Sequence, residues 1–370
     1  MQLSFWEHKN WFTAVDYTIV GSGIVGLHCA LRLREKFPTA KILVLEKGVL
    51  PQGASTKNAG FACFGSMSEI LDDLNEHSEQ EVFDLIQRRY QGLQLLRKRL
   101  GDTVLDLQIF GGYELFLKEE EATYETCLQK LPLVNELLQP LFNETVFSVK
   151  QNNFGFEKTK EQLIFNPFEA QLNTGNMMQA LLKMAVQNDV LILNQQTVLS
   201  YVEKNKGVEV ILADFSFQTN KLFFATNGFA SDLTNGDVKP ARAQVLITKP
   251  ISNLDIRGTF HLDKGYYYFR NFEDRILLGG GRNLDFDGET TIELTQTEKI
   301  QNHLEKLLQE VILPNQKFEI EHRWSGIMGV GKQKTPIVKQ LSTHVYCGVR
   351  LGGMGVAIGS LVGKELADLL

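Results

Sequence analysis

Between Asp16 and Lys47 the chain reads DYTIVGSGIVGLHCALRLREKFPTAKILVLEK. A short β-branched run enters a glycine turn, and apolar residues then recur at helical spacing (Leu27, Ala30, Leu31, Leu33). Pro38 stops that helix, and ILVL follows as a continuous apolar run of the kind a parallel strand covered on both faces requires. Strand, helix and strand within about thirty residues make a βαβ unit. Its turn, Gly21-Ser22-Gly23-Ile24-Val25-Gly26, lies directly after the strand and opens the helix, where free N–H groups and the helix dipole favour a pyrophosphate. Glu46 closes the second strand, 20 residues beyond Gly26, where a carboxylate can accept hydrogen bonds from ribose hydroxyls. The turn alone could be an ordinary tight bend. Together with the strands, the helix and Glu46 it points to a dinucleotide, without choosing between FAD and NAD.

The stretch GASTKNAGFACFG, residues 53–65, fits neither an amphipathic helix nor an alternating strand. It follows Glu46 closely, so it can run along the cofactor away from the adenosine, and a flat ring lying against backbone would demand side chains this small. Further on, helical spacing covers Ser68 to about Leu100 and Asn176–Gln187, with another helix near Glu298–Glu310. Strand signals appear at VLILNQ, TVLSYVEK, GVEVILA and KLFFATNG, then densely from Pro240 to Asn283 (ARAQVLITK, GTFHLD, GYYYFR, RILLGG). The final segment, HVYCGVRLGGMGVAIGSLVGKELADLL, again reads strand, glycine turn, helix. No repeat or low-complexity linker separates these parts, so a second domain must be woven into the first.

Composition removes several function classes. A formal charge of -6 lacks the clustered positive charge that nucleic acid requires. The N-terminus shows no basic start followed by an apolar core, and no stretch reaches about 18 uncharged apolar residues, so a cytoplasmic protein without a transmembrane segment is expected. Cys29, Cys63, Cys127 and Cys347 lie far apart with no C-x-x-C pair, which suggests buried thiols and neither disulfides nor a metal site. Arg88, Arg89, Arg97, Lys98 and Arg99 line one helix as a solvated face or a docking surface.

Taken together, VGSGIVG, VLEKG, STKNAGF, GYYYFR…RILLGGG, WSGIMG…TPIV and the terminal LGGMGVAIGSLVGKELADLL resemble the D-amino-acid oxidase superfamily of flavoproteins, in the same order over almost the whole chain. That resemblance implies an α/β (α+β) fold. A Rossmann-type FAD-binding domain (1–75, 165–237 and 321–370) would be interleaved with a mixed or antiparallel sheet domain for substrate (76–164 and 238–320). It implies non-covalent FAD, since no cysteine matches the family's attachment site. Gly21, Gly23 and Gly26 would hold the pyrophosphate, with Glu46 and Lys47 at the adenosine ribose. Ser55, Thr56, Asn58, Ala59, Gly60 and Phe61 would run from the phosphates to the isoalloxazine. Val198 matches the residue whose backbone meets the adenine, and Thr226-Asn227-Gly228 the turn under the ADP half. Gly352, Gly353, Met354, Gly355 and Val356 match the loop and helix start at the pyrimidine edge, where N–H groups could stabilise charge on the reduced ring.

For substrate, Tyr267 falls where related enzymes place a substrate-facing tyrosine, with Tyr267 and Phe269 on one face of the strand and Tyr266, Tyr268 and Arg270 on the other. Met328 stands where glycine oxidase has the arginine that clamps the substrate carboxylate; Arg350 or Arg282 could replace it. Leu277 stands where sarcosine oxidase has an oxygen-activating lysine, which leaves oxidase and dehydrogenase both open. The implied activity is oxidation of the C–N bond of a small amine or an N-substituted or D-amino acid, by hydride transfer to flavin N5. An imine results, no dedicated base is needed, and oxygen or another acceptor takes the electrons. Two alternatives stay open: a 2-hydroxy-acid dehydrogenase, which would need a histidine base from among His261, His303, His322 and His344, none in a matched segment; and a flavin-binding subunit docking through the basic helix.

Overall fold

The computed structural model describes residues 3–370. Its backbone is organised by two eight-stranded sheets. The first has the order Ile337–Ser342, Val345–Val349, Ser216–Phe224, Val15–Val20, Ile42–Leu45, Leu191–Leu193, with Gly207–Ile211 and Ser200–Lys204 added as an antiparallel pair beside Ser216–Phe224. From Val345–Val349 to Leu191–Leu193 every pairing is parallel. Ile42–Leu45 is buried at all four residues, as its unbroken apolar run requires. Helix Ile24–Lys36 crosses from the first strand to the second, and the closing helix Gly355–Asp368 lies against it. At their contact a Cβ on Gly363 would stand 2.5 Å from the Val25 carbonyl oxygen, so only glycine lets the two backbones meet there.

The second sheet runs Ile320–Val330, Lys239–Thr248, Arg275–Gly280, Tyr267–Phe272, Thr259–Leu262, Gly112–Glu114, Gln162–Asn166, Ser148–Gln151. All its pairings are antiparallel except Thr259–Leu262 with Gly112–Glu114. One face is covered by helix Glu298–Leu307, whose Ile300, Leu304 and Leu307 pack on Phe260, Phe269 and Leu278. The other face looks toward the first sheet.

Two sequence expectations change. The strand Ile320–Val330, assigned from residue 321 to the cofactor domain, pairs along its length with Lys239–Thr248 in the second sheet. The helical region from Ser68 is two helices, Met67–Glu76 and Glu79–Leu100, because Ser66 with Glu69 and Ser78 with Glu81 each build a capping box that starts a new helix. A third long helix, Glu121–Phe142, carries Pro132 and Pro140 within it, and its Val134, Leu138 and Phe142 are buried. Among the described residues no helix is long and apolar enough to cross a membrane.

Candidate active site

A cavity of about 700 Å³ lies between the sheets, within the range of small-molecule and cofactor sites. The first strand and its turn supply Val20, Gly21 and Gly23, and the second strand's end supplies Glu46 and Lys47. Gly21 has φ +103°, and Gly26 packs from behind: a Cβ there would stand 1.9 Å from the Gly21 carbonyl oxygen. Glu46 is held by four donors of its own chain. Its Oε2 accepts from the Ser22 amide (3.0 Å) and hydroxyl (2.9 Å), and its Oε1 from the amides of Gly48 (2.9 Å) and Gln52 (3.2 Å). The carboxylate is therefore fixed in place before any ligand arrives.

The small-residue run spans the cavity from one sheet to the other. At its start, Ser55 Oγ accepts from the Ile24 amide at the helix N-terminus (3.0 Å). Trp324 Nε1 then donates to the Lys57 carbonyl (2.9 Å), and Thr174 Oγ1 donates to Asn58 Oδ1 (2.9 Å). Arg270, almost fully buried, donates from Nε to the Ala59 carbonyl and from Nη2 to the Leu172 carbonyl (3.0 Å). Farther along, the Phe61 ring meets His261 and Tyr268 edge-on at 5.4 and 5.5 Å, and Cys63 Sγ lies 3.8 Å from Met354 Sδ.

Ser55, Asn58, Ala59, Gly60, Phe61, Lys47, Val198, Thr226, Asn227, Gly352, Gly353, Met354, Gly355 and Val356 all line the cavity. Thr56 does not: its hydroxyl turns back onto the Pro51 carbonyl (2.6 Å). Gly228 also stands behind the wall, against the Met328 carbonyl, where a Cβ would come within 2.5 Å. Asn227 Oδ1 accepts from the Leu351 amide (3.2 Å), tying this turn to the terminal glycine loop. The Thr226 hydroxyl is buried with no partner among the described residues, and Gly352 and Gly353, at φ +59° and +84°, leave room that side chains would fill.

Of the substrate candidates, Met328 lines the cavity; Tyr267 and Arg350 do not. Strand alternation sends Tyr267 to the far face of the sheet, where its ring lies 5.2 Å from His303 in the core under helix Glu298–Leu307. Its neighbours Tyr266 and Tyr268 line the cavity instead. Arg350, at φ +66°, donates from Nε to the Thr335 carbonyl (2.9 Å). Arg282 does line the cavity, with its guanidinium 5.6 Å from the Tyr266 ring and 5.1 Å from the Phe286 ring and no acidic partner among the described residues. Leu277 packs with Ala59 and Val245 in an apolar patch at the cavity's edge.

Sequence reasoning left His261 outside every matched segment and missed its partner, Glu169. His261 lines the cavity, and its Nε2 lies 2.9 Å from Oε2 of the buried Glu169. Burial alone would lower its pKa; the Glu169 carboxylate, backed by Glu69 and Glu114, reverses that and lifts it to about 9. With Cys63 these residues bring three donor atoms within 4.8 Å of one another, although they are scattered over the sequence with no local motif. All four cysteines are free and buried. The basic helix is largely committed within the chain: Arg88 pairs with Glu365 (2.6 Å), Arg97 with Asp102 (2.7 Å) and Arg99 with Glu35 (2.6 Å), while Arg89 donates to the Phe64 carbonyl (2.9 Å).

The chain is similar to the probable oxidoreductase OrdL of Haemophilus influenzae, 21% identical over 96% of this chain and 82% of that one. Its fold is similar to the crystal structures of glycine oxidase from Geobacillus kaustophilus (TM-score 0.74, 17% identity, 96% of this chain and 94% of that one) and L-proline dehydrogenase from P. horikoshii (TM-score 0.72, 17% identity, 96% and 92%). Residues 16–369 match the family described as DAO, FAD dependent oxidoreductase, and with that match spanning nearly the whole sequence the chain belongs to this family of FAD-dependent enzymes.

Proposed function

We propose that this chain binds FAD non-covalently along the cavity and oxidises the C–N bond of a small amine or an N-substituted or D-amino acid to an imine. The observation that carries the reading is the continuity of the cavity, from the glycine turn and Glu46 in one sheet to Tyr268 and Met328 in the other. The residues present fit the cofactor. Gly21, Gly23 and the start of helix Ile24–Lys36 would take the pyrophosphate, Gly26 supporting that turn from behind; Glu46 and Lys47 would face the ribose, and Val198 the adenine. Thr226 Oγ1 supplies a buried hydroxyl still in need of a partner. Residues 55–61 and the loop 352–356 would enclose the ring from two sides. When bound, the flavin supplies the two-electron acceptor.

The chain's own residues then bind and orient substrate and exclude water. Tyr266 and Tyr268 form an aromatic wall, and Met328 leaves that position apolar where a guanidinium would have gripped a carboxylate. Arg282, pre-positioned over two rings, is a cation at the rim. The competing reading, a 2-hydroxy-acid dehydrogenase, gains from His261 lining the cavity. Glu169 keeps that imidazole protonated near neutral pH, so it starts as an acid and not as the base an alcohol requires. The C–N reading therefore leads.

An anaerobic screen of amines, amino acids and 2-hydroxy acids against the purified holoprotein tests this. Bleaching of the flavin band by an amine or amino acid, and not by hydroxy acids, is the expected result. Bleaching by hydroxy acids alone, or by none of them, rejects it. Readmitting air separates an oxidase, which recolours within seconds, from a dehydrogenase, which does not.

A further inference from the structure

His261 is a buried histidine whose pairing is unfinished. It lies on strand Thr259–Leu262, in register with Tyr268 on one side and Glu114 on the other, and its ring touches Phe61, where the small-residue run reaches the second sheet. Nε2 is engaged by Glu169, which can only accept, so this nitrogen carries a proton. Glu169 is itself fixed, taking a second hydrogen bond from Thr259 Oγ1 (2.9 Å). Room for it is made by Gly112, where a Cβ would stand 2.1 Å from Glu169 Oε2. The residue types at Gly112, Thr259 and Glu169 thus hold one imidazole in one orientation.

The other ring nitrogen, Nδ1, has no protein partner among the described residues, although His261 is only 4% exposed and what it exposes borders the cavity. We propose that His261, held as an imidazolium by Glu169, is a specificity-determining cation that receives an anionic group of the substrate, a carboxylate, at Nδ1–H. It would stand in for the guanidinium that Met328 lacks. This rests on the cavity being the substrate site. Other cations line the cavity as well: Lys264 and Lys334 are ion-paired with Asp72 and Asp73, Lys47 and Lys57 stand beside the first sheet's strand end and the small-residue run, and the half-buried Arg282 is spread over Phe286, whose ring is 46% exposed. His261 lies on a strand in the interior, where a preorganised charge keeps more of its strength.

The charged and titratable groups around the imidazole are Glu169, Glu69 on helix Met67–Glu76, Glu114, Cys63 and Tyr268. Burial holds the Cys63 thiol protonated, and burial also pushes Tyr268 up to about 12, so neither changes charge near neutral pH. Burial raises Glu114 to about 7 against its bonds from Ser68 and Ser66. Because the folded-state pKa of His261 is raised, its positive charge is present below about pH 9 and lost above it.

The test uses the FAD-loaded protein and needs no turnover. Acetate and pyrrole-2-carboxylate are titrated against their amides while the flavin absorption band is followed. The carboxylates should bind and the amides should bind at least about tenfold more weakly, the effect of one charge-assisted hydrogen bond. Affinity for the carboxylates should fall as pH rises through about 9, and Glu169→Gln should carry that midpoint down by at least about one unit, because it removes the charge that lifts the imidazole. His261→Gln should cost the carboxylates at least about tenfold, and Arg282→Gln less than about threefold. A merely structural histidine would not move the pH midpoint in Glu169→Gln. Equal binding of carboxylate and amide, a midpoint unmoved in Glu169→Gln, or loss in Arg282→Gln without loss in His261→Gln overturns the proposal. If His261→Gln does not retain FAD, the wild-type and Glu169→Gln midpoints decide. The amine screen is independent of all these results, so a failure here leaves the C–N reading to its own experiment.

Discussion

Replacing Gly26 by alanine should empty the protein of flavin without unfolding it. The added methyl would stand 1.9 Å from the Gly21 carbonyl oxygen and 3.3 Å from Ile19 Cγ2, so about 1.5 Å (3.4 minus 1.9) must be opened to reach ordinary contact. Neither neighbour is a flexible side-chain end: Gly21 is backbone at φ +103°, and Ile19 is fully buried in the first strand. The start of helix Ile24–Lys36 must therefore back away from the turn, and its free N–H groups move with it. Losing two hydrogen bonds to a charged phosphate costs about 1.5–3 kcal/mol each, so about 3–6 kcal/mol in all. That corresponds to FAD binding about 10²- to 10⁴-fold weaker. Flavin content per chain and fluorescence-quenching titration of FAD into the apoprotein measure the loss, and circular dichroism verifies the fold. A well-folded Gly26→Ala protein that binds FAD within threefold of wild type would refute the assignment of this turn to the pyrophosphate.

Other substitutions probe the second sheet. Tyr268→Phe should change the rate of flavin reduction or the KM by about tenfold, the worth of one hydrogen bond, whereas Tyr267→Phe should leave both within twofold; stopped-flow reduction with the best amine of the screen distinguishes them, and the reverse pattern would mean the strand faces the other way. Met328→Arg should create or improve turnover of glycine or D-alanine by at least about tenfold, since a bidentate guanidinium then meets the carboxylate, and an unchanged substrate preference would disprove that this position faces substrate. Arg242→Met leaves Glu289, 2% exposed and bound at 2.8–2.9 Å by that guanidinium, without its charge partner. Such a break costs about 3–5 kcal/mol. At about 2.1 cal/mol/K per residue over 370 residues, Tm should fall by about 4–6 °C in a thermal melt.

The parts of this protein that chain-local physics controls were readable in advance. The turn at Gly21–Gly26 is such a part, because strand, glycine spacing and helix are consecutive, and so is the alternation that puts Tyr267 and Tyr268 on opposite faces. Which face meets the cavity was not readable: that depends on helix Glu298–Leu307 covering the Tyr267 side, a tertiary fact. Helix Glu121–Phe142 escaped notice because Pro132 and Pro140 look like breakers, while burial of Val134, Leu138 and Phe142 overrides their cost. The two helices after Ser66 could have been separated, since Ser78 and Glu81 have capping-box spacing. The pairing of His261 with Glu169 spans 92 residues, so no window of sequence contains it.

The buried guanidinium of Arg270 has a consequence for how molecules reach the interior. Its charge is balanced by carbonyl oxygens of Ala59, Leu172 and Asn271 and not by a carboxylate, and burial lowers its pKa to about 10. It rivets the small-residue run lining the cavity to the second sheet. Parting the molecule along that seam would break the hydrogen bonds to Ala59 and Leu172 together, so the seam resists opening. Lys264 and Asp72, which also line the cavity, form by contrast an ion pair between partly exposed side chains that solvent can break and remake.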